Sequence, residues 1–343
     1  MHGRYNMLSI LKSWRDLRRW GKWCLLLGLL CLTPIISDGL SASHVPAEPD
    51  GRWVFECIDC PKQFSGMTDR SLRLDSAGYP RIAYGQDHLY YAYYDGATWQ
   101  YETADDSSGV GRYASLALDV DEQPHISYFD SVNQDLRYAY RNDAGWHIET
   151  VDSEGCVGVD TSITLDAAGD VHISYSPCDY WTNAEGLKYA QRLASTWQVQ
   201  VIGDEGIRKR AASFVLDTRG FPHFCYQDSD AGQLWYTFQT ELGWFVESVV
   251  DTGGTGFETS LVLDARDEPQ IAYRMSGALY FAIRRDAGWQ FEIVDSEGTV
   301  GLSPSLALDA QDRPHISYHD LSHDDLKYAW RDSSGWQLET VQS

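Results

Sequence analysis

The run Ser305-Leu306-Ala307-Leu308-Asp309, followed by Pro314-His315-Ile316-Ser317-Tyr318, Leu326-Lys327-Tyr328-Ala329 and Gly335-Trp336-Gln337-Leu338-Glu339, decides the fold. The same phrase recurs upstream with small changes. Its closing aspartate stands at Asp75, Asp119, Asp166, Asp217, Asp264 and Asp309, at spacings of 44, 47, 51, 47 and 45 residues. Its tryptophan stands at Trp99, Trp146, Trp197, Trp244, Trp289 and Trp336. Each unit holds four short segments separated by turn residues; in the second unit these are 115–119, 125–129, 136–140 and 146–151. Leu116 and Leu118, then Ile126 and Tyr128, alternate with other residues, and a period of two marks strands. No stretch of the body carries a helical stripe. Tandem four-stranded units of this length predict an all-β chain, a six-bladed β-propeller with four-stranded antiparallel blades. Radial closure would protect the sheet edges. The units begin near residues 71, 115, 162, 213, 260 and 305, and residues 44–343 are expected to form one such domain.

The turn before the fourth segment reads Arg141-Asn142-Asp143-Ala144-Gly145-Trp146, and later Arg285-Asp286-Ala287-Gly288-Trp289 and Arg331-Asp332-Ser333-Ser334-Gly335-Trp336. It resembles the Asp-box, or BNR-type, turn of sialidase-like propellers. That resemblance implies that Asp and Gly shape the hairpin and that an aromatic wedges between blades. The third unit, Leu193-Ala194-Ser195-Thr196-Trp197, departs from the pattern by lacking both Asp and Gly. The paired Tyr and Glu nucleophile of sialidases is not matched, so the resemblance speaks for architecture. Gly51-Arg52-Trp53-Val54-Phe55-Glu56 is a further copy of the fourth segment, expected either outside the ring or in its outermost position.

Charge is uneven. The formal net is −23, yet residues 1–43 carry six Lys/Arg against two Asp/Glu, which leaves a net of −27 on residues 44–343. Such a body repels phosphate backbones, so nucleic acid is not an expected partner. Arg15, Arg18, Arg19 and Lys22 precede a hydrophobic run over residues 23–36, with Ser41, Ala42 and Ser43 beyond it. This pattern reads as a signal peptide over residues 1–43, with an uncleaved N-terminal anchor as the alternative. The body is expected to be secreted, periplasmic or otherwise extracytoplasmic, and monomeric. An oxidising compartment permits disulfides. Cys156 and Cys178 flank the third unit's longest loop and are expected to pair; Cys57 and Cys60 are a second expected pair, and Cys225 is left as a buried thiol.

His125, His172, His223 and His315 occupy one position in four units, with Arg81 and Gln270 in the other two. One histidine per blade cannot converge on one metal, so each is expected to bond the aspartate across its hairpin or nearby backbone. Glu102, Glu149, Glu247, Glu292 and Glu339 are likewise expected at blade contacts. Binding groups are expected where the repeats disagree, in the loops after the second segment and in the connectors between units. Arg70, Arg112 with Tyr113, Asp160, Arg210 and Glu258 precede first segments and are expected to border a central shaft. They could grip a carboxylate or sugar hydroxyls, or they could be solvated loop residues paired with one another. Tyr180 and Trp181, adjacent aromatics in the longest loop, suit sugar or protein contacts, or loop packing. The acidic clusters at 130–135 and 320–325 leave Ca²⁺ conceivable, and no other cofactor is expected.

Three functions follow from these readings, the third a purely structural module in an envelope complex. The first is an exported module that binds a glycan, or an extracellular or envelope protein, through its variable rim. The alternative is a glycan-active hydrolase or lyase using Arg112, Asp160, Arg210 and Glu258.

Overall fold

A computed structural model describes residues 69–178, 186–202, 209–228, 231–251 and 255–342. Among these residues there are six four-stranded sheets, each built from consecutive strands. Blade 1 comprises β1 (Leu72–Leu74), β2 (Pro80–Gly85), β3 (Leu89–Tyr94) and β4 (Trp99–Asp105). Blade 2 comprises β5 (Val110–Leu118), β6 (Pro124–Asp130), β7 (Asp135–Asn142) and β8 (Gly145–Asp152). Blade 3 comprises β9 (Val157–Leu165), β10 (Val171–Pro177), β11 (Lys188–Leu193) and β12 (Thr196–Val201). Blade 4 comprises β13 (Lys209–Leu216), β14 (Pro222–Asp228), β15 (Gln233–Thr240) and β16 (Gly243–Val250). Blade 5 comprises β17 (Thr255–Leu263), β18 (Pro269–Met275), β19 (Ala278–Arg285) and β20 (Gly288–Asp295). Blade 6 comprises β21 (Leu302–Leu308), β22 (Pro314–Asp320), β23 (Asp325–Asp332) and β24 (Gly335–Gln342). The only helical element among the described residues is the 3-10 turn Asp69–Ser71. The protein is a six-bladed β-propeller, as the repeat predicts. By compactness the chain divides into Met1–Ile163 and Thr164–Ser343, and the boundary falls inside β9.

The alternating residues of the repeat become the interface between successive blades. In the first unit, Ala83, Leu89 and Tyr91 of blade 1 share a cluster with Leu116, Ile126 and Tyr128 of blade 2. In the second, Leu279 and Phe281 of blade 5 pack with Leu306, Ile316 and Tyr318 of blade 6. Burial of such side chains stabilises by about 1.5–3 kcal/mol each. The recurring tryptophan is the wedge that the turn resemblance implies. The Trp146 ring meets Tyr91 edge-on at 5.6 Å, and its Nε1 donates to Glu102 Oε2 at 2.8 Å. Trp336 repeats the arrangement on Phe281 at 5.3 Å and on Glu292 at 2.8 Å. Glu102 and Glu292 are blade-contact residues, as expected.

The repeat's serine clamps the inner strands. Ser115 Oγ accepts the Ile163 N–H at 3.1 Å, Ser213 Oγ that of Leu261 at 2.9 Å, and Ser260 Oγ that of Leu306 at 3.0 Å. The repeat's aspartate ties its own hairpin: Asp119 Oδ1 accepts the N–H groups of Asp121 and Gln123 at 2.9 and 2.7 Å. Asp75, Asp166, Asp217, Asp264 and Asp309 do the same. Cys156 and Cys178 are joined by the expected disulfide. Cys225 is the buried free thiol expected of it, its pKa pushed up by burial to about 12. Cys57, Cys60, the leader and the 51–56 segment lie outside the described residues.

Candidate functional site

The four histidines are structural, and their strongest partner is one that linear spacing did not indicate. His125 and His172 place Nδ1 2.5 Å from the hydroxyls of Tyr138 and Tyr189 on the third strand. His223 and His315 meet Tyr236 and Tyr328 in the same way. On the other side, His125 and His315 reach the expected Asp119 and Asp309 at 3.5 and 3.4 Å. His172 and His223 stand 3.6 and 3.7 Å from Asp166 and Asp217. Where the repeat replaces His, an arginine serves the aspartate: Arg81 on Asp75 at 2.6 Å, and Arg285 on Asp264 at 3.0 Å.

The residues expected around a shaft have separate engagements. Tyr113 and Asp160 lie inside the inner strands β5 and β9, at equivalent positions with left-handed φ of 56° and 52°. Arg70 crosses to blade 3, where Nη1 lies 3.3 Å from the main-chain oxygens of Asp160 and Thr161. Arg112 lies over the Tyr113 ring at 5.6 Å, and its buried Nε has no hydrogen-bond partner. Glu258 accepts the main-chain N–H of Ser303. The Arg210 side chain, Tyr180 and Trp181 lie outside the described residues. In the 320–325 loop, Asp320, His323 and Asp325 bring ligand atoms within 4.8 Å of one another. Asp320 accepts from His323 Nδ1 at 2.9 Å, which holds that imidazole above its ordinary pKa.

Two cavities adjoin on the tight-hairpin side of blades 4 and 5. An open groove of about 350 Å³ is lined by Arg219, Phe238, Thr240, Glu241, Leu242 and Phe245. A neighbouring chamber of about 230 Å³ shares Arg219, Phe238 and Thr240, and adds Asp217, His223, Arg266, Asp267, Glu268 and Arg284 among others. Register builds the groove wall. His223 lies opposite Phe238, and Phe238 opposite Phe245. The three rings form a ladder, with centroids 5.6 Å and then 5.5 Å apart and planes within 20° of parallel. Phe245, its outer rung, is 42% exposed, and Leu242 in the adjoining turn is 90% exposed. The matching residues elsewhere are Gln100, His147, Gln198, Gln290 and Gln337, so an exposed phenylalanine is a departure from the repeat.

The arginines of this site are already paired. Asp217 is driven up by burial. Hydrogen bonds from the N–H groups of Phe221 and Arg219 and from the Arg219 guanidinium more than reverse this, holding it below its usual range. Arg284 grips Glu247 through two contacts of 2.8 Å, and Arg266 lies 3.2 Å from Glu268. Burial holds His223 below its ordinary pKa, against the attraction of Asp217. His223 is therefore a neutral imidazole. Its Nδ1 pairs with the Tyr236 hydroxyl, and its buried Nε2 faces Asp217 Oδ2 at 3.7 Å.

No protein-family model matches the chain, and no curated protein matches it by sequence. Solved structures do. AofleA from Arthrobotrys oligospora is 11% identical, over 79% of this chain and 85% of that one, with a TM-score of 0.52. A polysaccharide lyase, an ulvan lyase bound to -[GlcA(1-4)Rha3S]-, is 12% identical over 80% and 81%, with a TM-score of 0.52. A putative 6-phosphogluconolactonase from Bacteroides uniformis is 8% identical over 81% and 86%, with a TM-score of 0.51. At these identities the likeness concerns the fold alone.

Proposed function

We propose that the protein is an exported carbohydrate-binding propeller which holds a saccharide against Phe245. The observation that carries this reading is Phe245, the exposed outer ring of the Phe238–Phe245 stack, at a position where four other blades have glutamine. A pyranose presents one face of C–H groups, which an aromatic face attracts, and hydroxyls at its edge, which Arg219, Thr240 and Glu241 can meet. The groove's acids favour binding over catalysis. Asp217 is held by Arg219 below its usual range, and a carboxylate so engaged is a weak proton acceptor. The disulfide supports an oxidising, extracytoplasmic location. That one structural neighbour is bound to a saccharide adds that this fold can carry one. A screen of the purified chain against immobilised oligosaccharides, run beside a polysaccharide-cleavage assay, tests the reading. Retention without product is expected. Release of new chain ends would instead favour the hydrolase or lyase alternative, with Arg112, Asp160, Arg210 and Glu258 as its candidates.

A further inference from the structure

We infer that the saccharide taken by the Phe245 groove is a neutral oligosaccharide, without carboxylate or sulfate groups; this rests on the saccharide-binding reading above. The groove and chamber share Arg219, Phe238 and Thr240, so they are two adjoining spaces along one path. Together they suit more than one sugar residue: the groove, at about 350 Å³, lies within the range of small-molecule sites, roughly 300–1,000 Å³, and the chamber extends it by a smaller space of about 230 Å³.

Charge decides the class. Three guanidiniums line the path, and each has a carboxylate: Arg219 on Asp217 at 3.0 Å, Arg266 on Glu268 at 3.2 Å and Arg284 on Glu247 at 2.8 Å. An incoming anion would meet a carboxylate beside every guanidinium on the path, and drawing Arg219 away from Asp217, whose side chain is 1% exposed, would leave a buried carboxylate without its cation. Asp267 and Glu241 add further negative charge, and the Asp267 carboxylate accepts both the N–H and the hydroxyl of Thr218. His223, held below its ordinary pKa by burial, adds no positive charge to the path. Fixed ion pairs of this kind offer donors and acceptors in set directions with no net positive field, which matches hydroxyl groups. The surrounding body, strongly acidic as a whole, repels anions at longer range.

The test is calorimetric titration of the full chain with pentasaccharides of glucose, xylose and mannose, and with tetragalacturonate and a chondroitin sulfate tetrasaccharide. At least one neutral probe should bind about tenfold or more tighter than either anionic one, and its Kd should change by less than about twofold between low and high salt. Phe245→Gln should weaken that binding about tenfold or more. Tighter binding of an anionic probe, with affinity that falls as salt rises, overturns the inference while leaving the saccharide-binding reading intact. Neutral binding that is indifferent to Phe245→Gln overturns the assignment to this groove. Binding of no probe of either class sinks the saccharide-binding reading, and this inference with it.

Discussion

Phe238 of β15 and Phe245 of β16 are direct cross-strand partners, their rings 5.5 Å apart and 19° from parallel. A buried pair of this kind would be explained by packing. This one has its outer ring almost half in water, so the pair stabilises the fold only modestly. An aromatic pair is worth about 0.5–1.5 kcal/mol beyond its buried area. In a chain of this size that corresponds to a fall of a few degrees in Tm at most.

Phe245→Gln therefore separates the two roles. Glutamine is the residue of blades 1, 3, 5 and 6 at this position, so the strand accepts it. The variant should melt within about 3 °C of the parent and lose about tenfold or more in affinity for whichever neutral oligosaccharide binds the parent. A large drop in Tm would make Phe245 a core residue, and unchanged affinity would remove it from the site. Scanning calorimetry and titration of one preparation read both.

The blade was legible in the sequence because each strand alternates and each unit ends on the same wedge, Trp146 or Trp336. The histidine role was half legible. Asp119 is near His125 in sequence and across one turn, whereas Tyr138 is near it only once β6 and β7 have paired. Variation is not confined to the loops: the column His223–Phe238–Phe245 varies too, within strands. Aligned by register it reads Arg81–Tyr93–Gln100 in blade 1, His125–Tyr140–His147 in blade 2 and Gln270–Ile283–Gln290 in blade 5. Setting the repeats beneath one another would have exposed Phe245. The groove itself would not have followed, because its walls come from hairpins of two blades brought together by packing.

Ser260 offers a test of how blades are fastened. Its buried hydroxyl accepts the Leu306 N–H at 3.0 Å, and both groups lie in inner strands. Ser260→Ala leaves that N–H buried with no acceptor, which costs about 1–3 kcal/mol. The urea midpoint should fall accordingly with an unchanged slope, because the surface exposed on unfolding is the same. Saccharide binding should be untouched. An unaltered midpoint would mean that the serine recurs for space alone.

The same logic, applied to a buried imidazole, predicts a pH dependence. His172 is buried in blade 3, accepts from the Tyr189 hydroxyl at Nδ1, and stands 3.6 Å from Asp166. Burial lowers its pKa, and the attraction of Asp166 opposes this without cancelling it. An unfolded imidazole titrates near about 6.5. Between that value and the lower folded one, the unfolded chain holds more protons than the native chain, so stability falls as pH falls. The contribution is complete above about pH 6.5 and is lost as the pH drops toward the folded pKa. His223 carries a shift of the same sign and acts in the same window. His172→Gln, the residue type that blade 5 has at this position in Gln270, removes one of the two titrating groups and touches no part of the groove. Urea midpoints measured from about pH 8 down to about pH 5 should decline less steeply for the variant, with a difference of at most about 1.4 kcal/mol per pH unit, the limit for one linked proton. Coincident slopes would show that His172 titrates alike in the folded and unfolded chains, and a steeper slope in the variant would reverse the sign assigned to its burial.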